Sequence, residues 1–194
     1  MKRSIFLLPV LLAAISAQAN ENQYVPVCMN GNVSGQGACS SKPKPGKQPD
    51  DWACTRDNKT NLTWSIESRK GTWDYAKGEY SQAANQESRC GFSSGWRLPT
   101  HNELLTILIK DSSSIAPIQV FRNHKDINQA AIDARFFPET PADAFWTADS
   151  LAHDPGFAWF VYFKSGVSNE GNAYTDFKAK TKYIRLVHEA RKAS

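Results

Sequence analysis

Segments in which apolar and polar residues alternate lie on both sides of the middle of this 194-residue chain. Residues 61–67 alternate around Leu62, Trp64 and Ile66, which predicts a half-buried strand. Four further segments are aromatic or β-branched and are separated by turns rich in Gly, Asn or Asp. They predict an antiparallel meander near the C terminus, formed by residues 144–148, 158–164, 174–178 and 183–188.

Two helices are predicted between the first strand and the meander. The first follows the capping residue Thr72 and has apolar residues at helical spacing: Trp73, Ala76, Tyr80 and Ala83 or Ala84. The second begins at a capping box formed by Thr100 and Glu103, just before an apolar run. Residues 110–140 are irregular except for a short helix predicted at 128–134. The order of the elements predicts an α+β fold.

The first 19 residues have the pattern of a secretory signal peptide. Lys2 and Arg3 precede an apolar run, and Ala17-Gln18-Ala19 is typical of a cleavage site. A run of about 12 apolar residues is too short to span roughly 30 Å of hydrocarbon, so we do not expect a membrane-spanning segment. The sequence therefore predicts an exported protein of the periplasm, the cell surface or the extracellular space.

Residues 20–51 contain few large apolar residues and are rich in Gly, Ser, Pro and Lys, which predicts an extended arm without a core. The main domain is expected at residues 52–188, followed by a basic tail at 189–194. Four cysteines form an even set in a chain expected to be exported, which favours disulfides over a zinc site without a C-x-x-C pair. Of three pairings, the most economical joins Cys28 to Cys39 and Cys54 to Cys90.

Composition changes this picture little. Hydrophobic residues make up 41% and charged residues 22% of the chain, values typical of a folded soluble protein. They exclude a disordered tail, a collagen-like fibre and a polytopic membrane protein. The formal charge is +4, and removal of Lys2 and Arg3 would lower it to +2.

Five segments in the same order resemble the Lcl C-terminal domain family. The most specific is the W-R-L-P-T-x-x-E-L string at residues 96–104, and the others are at 54–64, 145–150, 158–166 and 184–187. The resemblance covers residues 52–188 and implies a C-type-lectin-like fold, with neighbouring termini and with recognition by long loops. It also implies glycan recognition, because the family's founding adhesin is associated with sulfated glycosaminoglycans. This chain lacks that protein's collagen repeat, so trimerisation does not follow.

No catalytic constellation is found. The histidines are scattered, and the sequence has no H-E-x-x-H, G-x-S-x-G or phosphate-binding glycine motif. The fold is also shared with formylglycine-generating enzymes, which rely on a cysteine pair late in the domain, but no cysteine follows Cys90. We therefore expect a protein that is not an enzyme, and a formylglycine-generating activity is the least favoured alternative.

No cofactor is predicted. The calcium motifs of sugar-binding C-type lectins are missing, although loop residues could supply oxygen ligands: Asn169, Glu170, Asn172, Asp149, Asp154 and Asp176. Turn chemistry is the favoured explanation for these residues. Calcium binding is therefore left open without a supporting motif.

Positive charge is concentrated near the C terminus. In an extended segment, Lys178, Lys180 and Lys182 would project from one face. Such a stripe would suit an anionic polymer, although lysines also protect solvated edge strands. Nucleic acid is not expected, because aromatic residues do not interleave with the lysines. The predicted ligand-binding set is Lys178, Lys180, Lys182, Arg185, Arg97, Trp146, Asn169 and Asn172.

For Arg97 the favoured interpretation is a structural role, in which a carboxylate or backbone carbonyls bind its guanidinium, and ligand binding is the alternative. Taken together, the sequence favours an adhesin-like binding module for an anionic glycan or a protein surface. The alternative is a structural subunit of an envelope, secretion or pilus assembly. The sequence indicates no oligomeric state.

Overall fold

The computed structural model describes residues 23–109, 130–164 and 173–189, and their strands form two sheets. In the first sheet all neighbouring strands are antiparallel. Its strands, in spatial order, are β1 (Tyr24–Cys28), β2 (Trp52–Asp57), β3 (Leu62–Ser65) and β9 (Val187–Glu189). The first and last described strands therefore belong to one sheet, and the strand predicted at 61–67 is confirmed.

The second sheet contains the predicted meander. Its strands, in spatial order, are β4 (Arg69–Gly71), β8 (Lys182–Ile184), β5 (Ala144–Leu151), β6 (Asp154–Tyr162) and β7 (Ala173–Phe177). Strands β5, β6 and β7 are antiparallel neighbours, as predicted. Strand β8 instead lies beside β4 and β5, so it is not the next strand of the meander.

The single strand predicted at 183–188 is wrong. The chain leaves β8 at Ile184 and enters β9 of the other sheet at Val187, with Arg185 and Leu186 between them. All four residues are fully buried. The two residues that link β8 to β9 are covered by protein on both sides. A segment buried in this way has the apolar, β-branched composition of a buried strand, and this composition led to the prediction of one continuous strand.

The first predicted helix is confirmed as three consecutive helical stretches. They are α1 (Trp73–Tyr75), a π-helical stretch (Ala76–Tyr80) and α2 (Ser81–Gln86). The Thr72 side chain accepts a hydrogen bond from the Tyr75 amide, as expected of a cap. The buried face carries residues named from the periodicity: Trp73, Ala76, Tyr80 and Ala84.

The second predicted helix is confirmed as α3 (His101–Thr106). Its capping box is complete, because the Glu103 amide donates to Thr100 Oγ1 and the Thr100 amide donates to Glu103 Oε2. Leu104 and Ile107 are buried. The short helix predicted at 128–134 is not present in its described part, residues 130–134.

The arm contributes to the fold, contrary to the expectation from its composition. Strand β1 pairs with β2 along its whole length, and Tyr24 packs against the rings of Phe136 and Phe137 at 5.4 and 5.3 Å. Farther along, the Trp52 amide donates to the Lys44 carbonyl at 2.8 Å. Backbone pairing does not need an apolar side chain at every position, so composition alone underestimated this segment.

Both predicted disulfides are confirmed, Cys28–Cys39 within the arm and Cys54–Cys90 between β2 and the turn after α2. The α+β class is also confirmed. Within the described residues, no helix is long and apolar enough to cross a membrane. The predicted signal peptide, Asn169, Asn172 and the residues of the basic tail after Glu189 lie outside the described residues.

Candidate functional site

Arg185 is fully buried between the two sheets. Its guanidinium donates at 2.8–3.4 Å to four oxygens: Ser65 O, Ile66 O, Ser68 Oγ and Thr140 Oγ1. Burial lowers the pKa of Arg185 to about 10, so the group remains protonated at neutral pH. The prediction that Arg185 belongs to a surface stripe is therefore corrected, because its donors hold the core together.

Arg97 has the structural role that the sequence favoured, and its inclusion in the predicted ligand-binding set is corrected. Nη1 and Nη2 donate to the two carboxylate oxygens of Glu103 at 2.8 and 2.7 Å, and Nη2 also donates to Glu189 at 2.9 Å. These hydrogen bonds raise the pKa of Arg97. Burial raises the pKa of Glu103, but the bonds from Arg97 and Thr100 outweigh it and leave that pKa below its usual value. Arg97 therefore ties the start of α3 to β9.

Trp146 and Lys182 also face inward. Trp146 is fully buried and donates its indole N–H to the Gly71 carbonyl at 3.2 Å. The Lys182 ammonium donates to Asp176 at 2.6 Å and lies 4.0 Å from the centre of the Phe160 ring. Its hydrogen bond lowers the pKa of Asp176. The structure thus places both predicted ligand residues among internal partners, not on an open surface.

Lys178 and Lys180 lie in the connection between β7 and β8, not on one extended strand with Lys182. The Lys180 amide donates to the Phe177 carbonyl at 2.8 Å, which closes a turn. The predicted one-faced stripe is therefore wrong. A turn projects its side chains in different directions, whereas the alternation argument required extended backbone.

A different basic surface takes its place. Lys178 Nζ lies 4.0 Å from the centre of the Trp73 ring, and Lys77 Nζ lies 4.4 Å from the same ring. Lys77 and Lys180 are exposed, and Lys178 is half-buried. We call Lys77, Lys178 and Lys180 the lysine cluster. The sequence analysis missed Lys77, although its position one helical turn after Trp73 was a usable signal.

A shallow pocket of about 490 Å³ lies where α3 begins beside the second sheet. We call it the Trp159 pocket, and its lining residues are Thr100, His101, Asn102, Asp149 and Trp159. The His101 amide donates to Asp149 Oδ2 at 2.6 Å, which joins α3 to β5. The sequence analysis missed this site. The available signal was that Trp159 alternates with the buried residues Ala158 and Phe160 and so points to the opposite face of β6.

A second cavity, of about 330 Å³, lies between the arm and the core. Its charged groups pair with one another: Glu67 with Lys47 and Arg89 at 3.3 Å each, and Glu87 with Arg89 at 2.9 Å. The Arg89 side chain is 4% exposed. These pairs fasten the arm to the domain.

Three of the acidic residues considered for calcium have separate hydrogen-bond partners, and the fourth, Glu170, lies outside the described residues. Asp149 accepts the amide of His101, Asp154 accepts the amide of Gly156 at 3.0 Å, and Asp176 binds Lys182. Among the described residues, no group of three or more His, Cys, Asp and Glu side chains is arranged to hold a metal ion.

The family model of the Lcl C-terminal domain matches residues 53–188. The matched region extends from β2 into β9 and leaves out β1 and the Cys28–Cys39 disulfide. No curated protein matches the chain.

Proposed function

The chain belongs to the Lcl C-terminal domain family, and we propose that it is an exported, adhesin-like binding module, not an enzyme, that recognises an anionic glycan. The two disulfides are compatible with export. All four cysteines are paired, so the thiol chemistry of formylglycine-generating enzymes has no free thiol to use.

The lysine cluster is the observation that carries the glycan proposal. The ammonium groups of Lys77 and Lys178 both lie over the Trp73 indole, and this cation–π contact limits their rotamers before a ligand arrives. Ordering these chains therefore costs less entropy on binding than ordering free lysines. Acidic residues of the same helical segment, Asp74 and Glu79, are exposed nearby in sequence and would select against a closely packed anion. A linear polyanion with spaced sulfate or carboxylate groups is the ligand that fits.

Heparin chromatography tests this proposal. The double variant Lys178→Glu/Lys180→Glu is compared with Lys42→Glu/Lys59→Glu, which reverses two exposed charges elsewhere. Both change the net charge equally, so only a local site separates them. We expect the first variant to elute at clearly lower salt than the second. Equal elution of the two variants would contradict a site at the lysine cluster.

A protein-binding role is the second candidate, favoured by one observation. Tyr174 and Phe177 are the exposed large hydrophobic residues of the described chain, at 38% and 54%, and both lie on β7 at the end of the second sheet. Exposed aromatic residues on an edge strand suit contact with another protein. Cross-linking in envelope fractions would support this role if Tyr174→Ser/Phe177→Ser lost a stoichiometric partner while heparin retention stayed unchanged.

A further inference from the structure

We propose that the Trp159 pocket binds one uncharged sugar ring. The proposal extends the glycan function, but it rests on different residues from the lysine cluster. It starts from a comparison of the six tryptophans. Five are at most 8% exposed: Trp52, Trp64, Trp73, Trp96 and Trp146. Trp159 is half-buried and lines a pocket.

Trp159 also differs in its contacts. The indole N–H groups of four of the five buried tryptophans donate to backbone carbonyls: Trp52 to Cys54, Trp73 to Thr147, Trp96 to Arg89 and Trp146 to Gly71. The fifth, Trp64, has no acceptor among the described residues, but it is fully buried and so has no open face. Among the described residues, the Trp159 indole N–H has no acceptor and its ring has no aromatic partner. The pocket therefore presents an apolar ring face beside an available donor. A pyranose has the matching features, a face of C–H bonds and a rim of hydroxyls.

The polar residues around Trp159 retain hydrogen-bonding capacity. Asp149 Oδ2 accepts the backbone N–H of His101. Within the described residues, Asp149 Oδ1 and the side-chain amide of Asn102 have no hydrogen bond. His101 Nδ1 is buried and unpartnered there. A carboxylate oxygen accepts, and an amide both donates and accepts. The Asp149 carboxylate and the Asn102 side-chain amide therefore match neighbouring sugar hydroxyls, because each hydroxyl can both donate and accept a hydrogen bond.

The lining also indicates which ligands do not fit. No lysine or arginine is among the residues that line the pocket, and Asp149 would repel an anion. Two of the backbone N–H groups at the start of α3 already have acceptors: that of His101 donates to Asp149 and that of Glu103 donates to Thr100. A quaternary ammonium is usually held by several aromatic rings, and this pocket offers one indole. An uncharged pyranose is the ligand that uses every side of the pocket.

The pocket can be tested separately from the lysine cluster. Trp159 and Phe160 point to opposite faces of β6, and Phe160 shares a core cluster with Trp73. The two surfaces therefore lie on different sides of the second sheet. Raising the salt concentration to about 0.5 M weakens exposed charge interactions and leaves stacking and neutral hydrogen bonds largely unaffected.

The test is a titration of the oxidised full chain, labelled with ¹⁵N, at high salt. The probes are cellohexaose, maltohexaose, mannohexaose and chitohexaose, and the signals are the indole N–H resonances. Absence of one resonance in Trp159→Phe assigns it to Trp159. We expect that resonance to shift saturably with at least one probe. Trp159→Ala should weaken binding by about tenfold or more, as expected for an aromatic residue at the centre of a contact.

Two matched variants complete the design. Asn102→Ala should weaken binding by about threefold, since it removes hydrogen bonds at an exposed position. Phe177→Ala removes an exposed aromatic residue that lies outside the pocket lining and should leave the affinity unchanged. Far-ultraviolet circular dichroism and urea midpoints establish that each variant is folded.

The proposal is overturned if no probe shifts the Trp159 resonance, or if folded Trp159→Ala binds as the wild type does. A saturable shift with choline but with none of the sugars would also overturn it, because the pocket would then be a cation site. Heparin retention separates this result from the proposed function. Trp159→Ala should keep the heparin retention of the wild type. Lys178→Glu/Lys180→Glu should lose heparin retention and still bind the neutral sugar.

Discussion

Two charged segments of this protein behaved differently when the chain folded. In the segment 96–103, Arg97 binds the carboxylate of Glu103 six residues later, which agrees with the expectation that a carboxylate or backbone carbonyls would bind its guanidinium. In the segment 178–185, four basic residues looked alike in the sequence but have different environments. Lys178 and Lys180 lie in a turn, Lys182 pairs with Asp176, and Arg185 is in the core. Arg185 illustrates why, because its hydrogen-bond partners are 45–120 positions away. A pattern predicts a side chain's environment only when its partners lie within the pattern.

The sharpest way to test this contrast is to truncate the buried arginine. Arg185→Ala leaves the carbonyl of Ser65 and the Thr140 hydroxyl without their donor and opens a cavity. We expect a loss of about 3–5 kcal/mol in the free energy of unfolding. Urea denaturation measures it. Arg185→Lys should recover only part of the lost free energy of unfolding, because one ammonium group cannot reach all four oxygens. A loss below about 1 kcal/mol would contradict the structural role of Arg185.

Substitutions in the segment 96–103 should lower the free energy of unfolding by less than Arg185→Ala does, and the effects at Arg97 and Glu103 should depend on each other. We expect Glu103→Ala to lower the free energy of unfolding by about 1–2 kcal/mol, because it removes half of the capping box and the less exposed of the two carboxylate partners of Arg97. Arg97 is 35% exposed, so solvent screens part of the pair. In a double-mutant cycle, Arg97→Ala should add little once Glu103 is absent. Fully additive losses would contradict a shared unit.

A histidine beside the local segment adds a pH dependence. His188 stacks on Phe92 at 3.8 Å, and its Nε2 lies 2.8 Å from the Ser94 carbonyl. Burial lowers the pKa of His188 below its usual value of 6.5, although nearby backbone carbonyls and Glu189 oppose the shift. The unfolded chain therefore binds this proton more readily than the folded chain.

The contribution of His188 to the free energy of unfolding is therefore fully present above about pH 6.5. It decreases as the pH falls from that value towards the lower pKa that His188 has in the folded protein. Urea midpoints at pH 5.5 and 7.5 measure the difference. His188→Phe keeps an aromatic ring against Phe92 and removes the titration, so its midpoint should vary less between these pH values. An unchanged pH difference in this variant would exclude His188 as the source.

The smallest effect is expected at the lysine cluster. Lys180 is exposed, so Lys180→Glu should change the free energy of unfolding by no more than about 0.5 kcal/mol. The same denaturation experiment applies, with Lys59→Glu as the control. A loss comparable to that of Arg185→Ala would mean that the basic segment acts as one structural unit and would remove the contrast.

Local signals predicted much of the fold. The capping box at Thr100 and the helix that follows Thr72 were identified because a helix start depends on residues within one turn. The disulfide pairing followed because four cysteines allow few alternatives. The meander strands β5, β6 and β7 were recognised from their composition, although β6 begins earlier than expected.

Signals that depend on distant partners were less informative. The composition of the arm did not indicate that β1 would pair with β2, because hydrogen bonds between strands use backbone groups that every segment offers. The apolar content of 183–188 did not indicate that the chain changes sheets after Ile184. The Trp159 pocket joins α3 to β5 and β6, so no single segment contains it.

The sequence by itself determined the family, the α+β class, the disulfide pairs and the positions at which helices start. These properties depend on nearby residues or on a small number of combinations. Only the tertiary structure decided which charged side chains are buried and which tryptophan remains partly accessible. Desolvation of Arg185 and exposure of Trp159 are set by atoms that distant segments bring together. The lysine cluster and the Trp159 pocket are therefore properties of the folded chain.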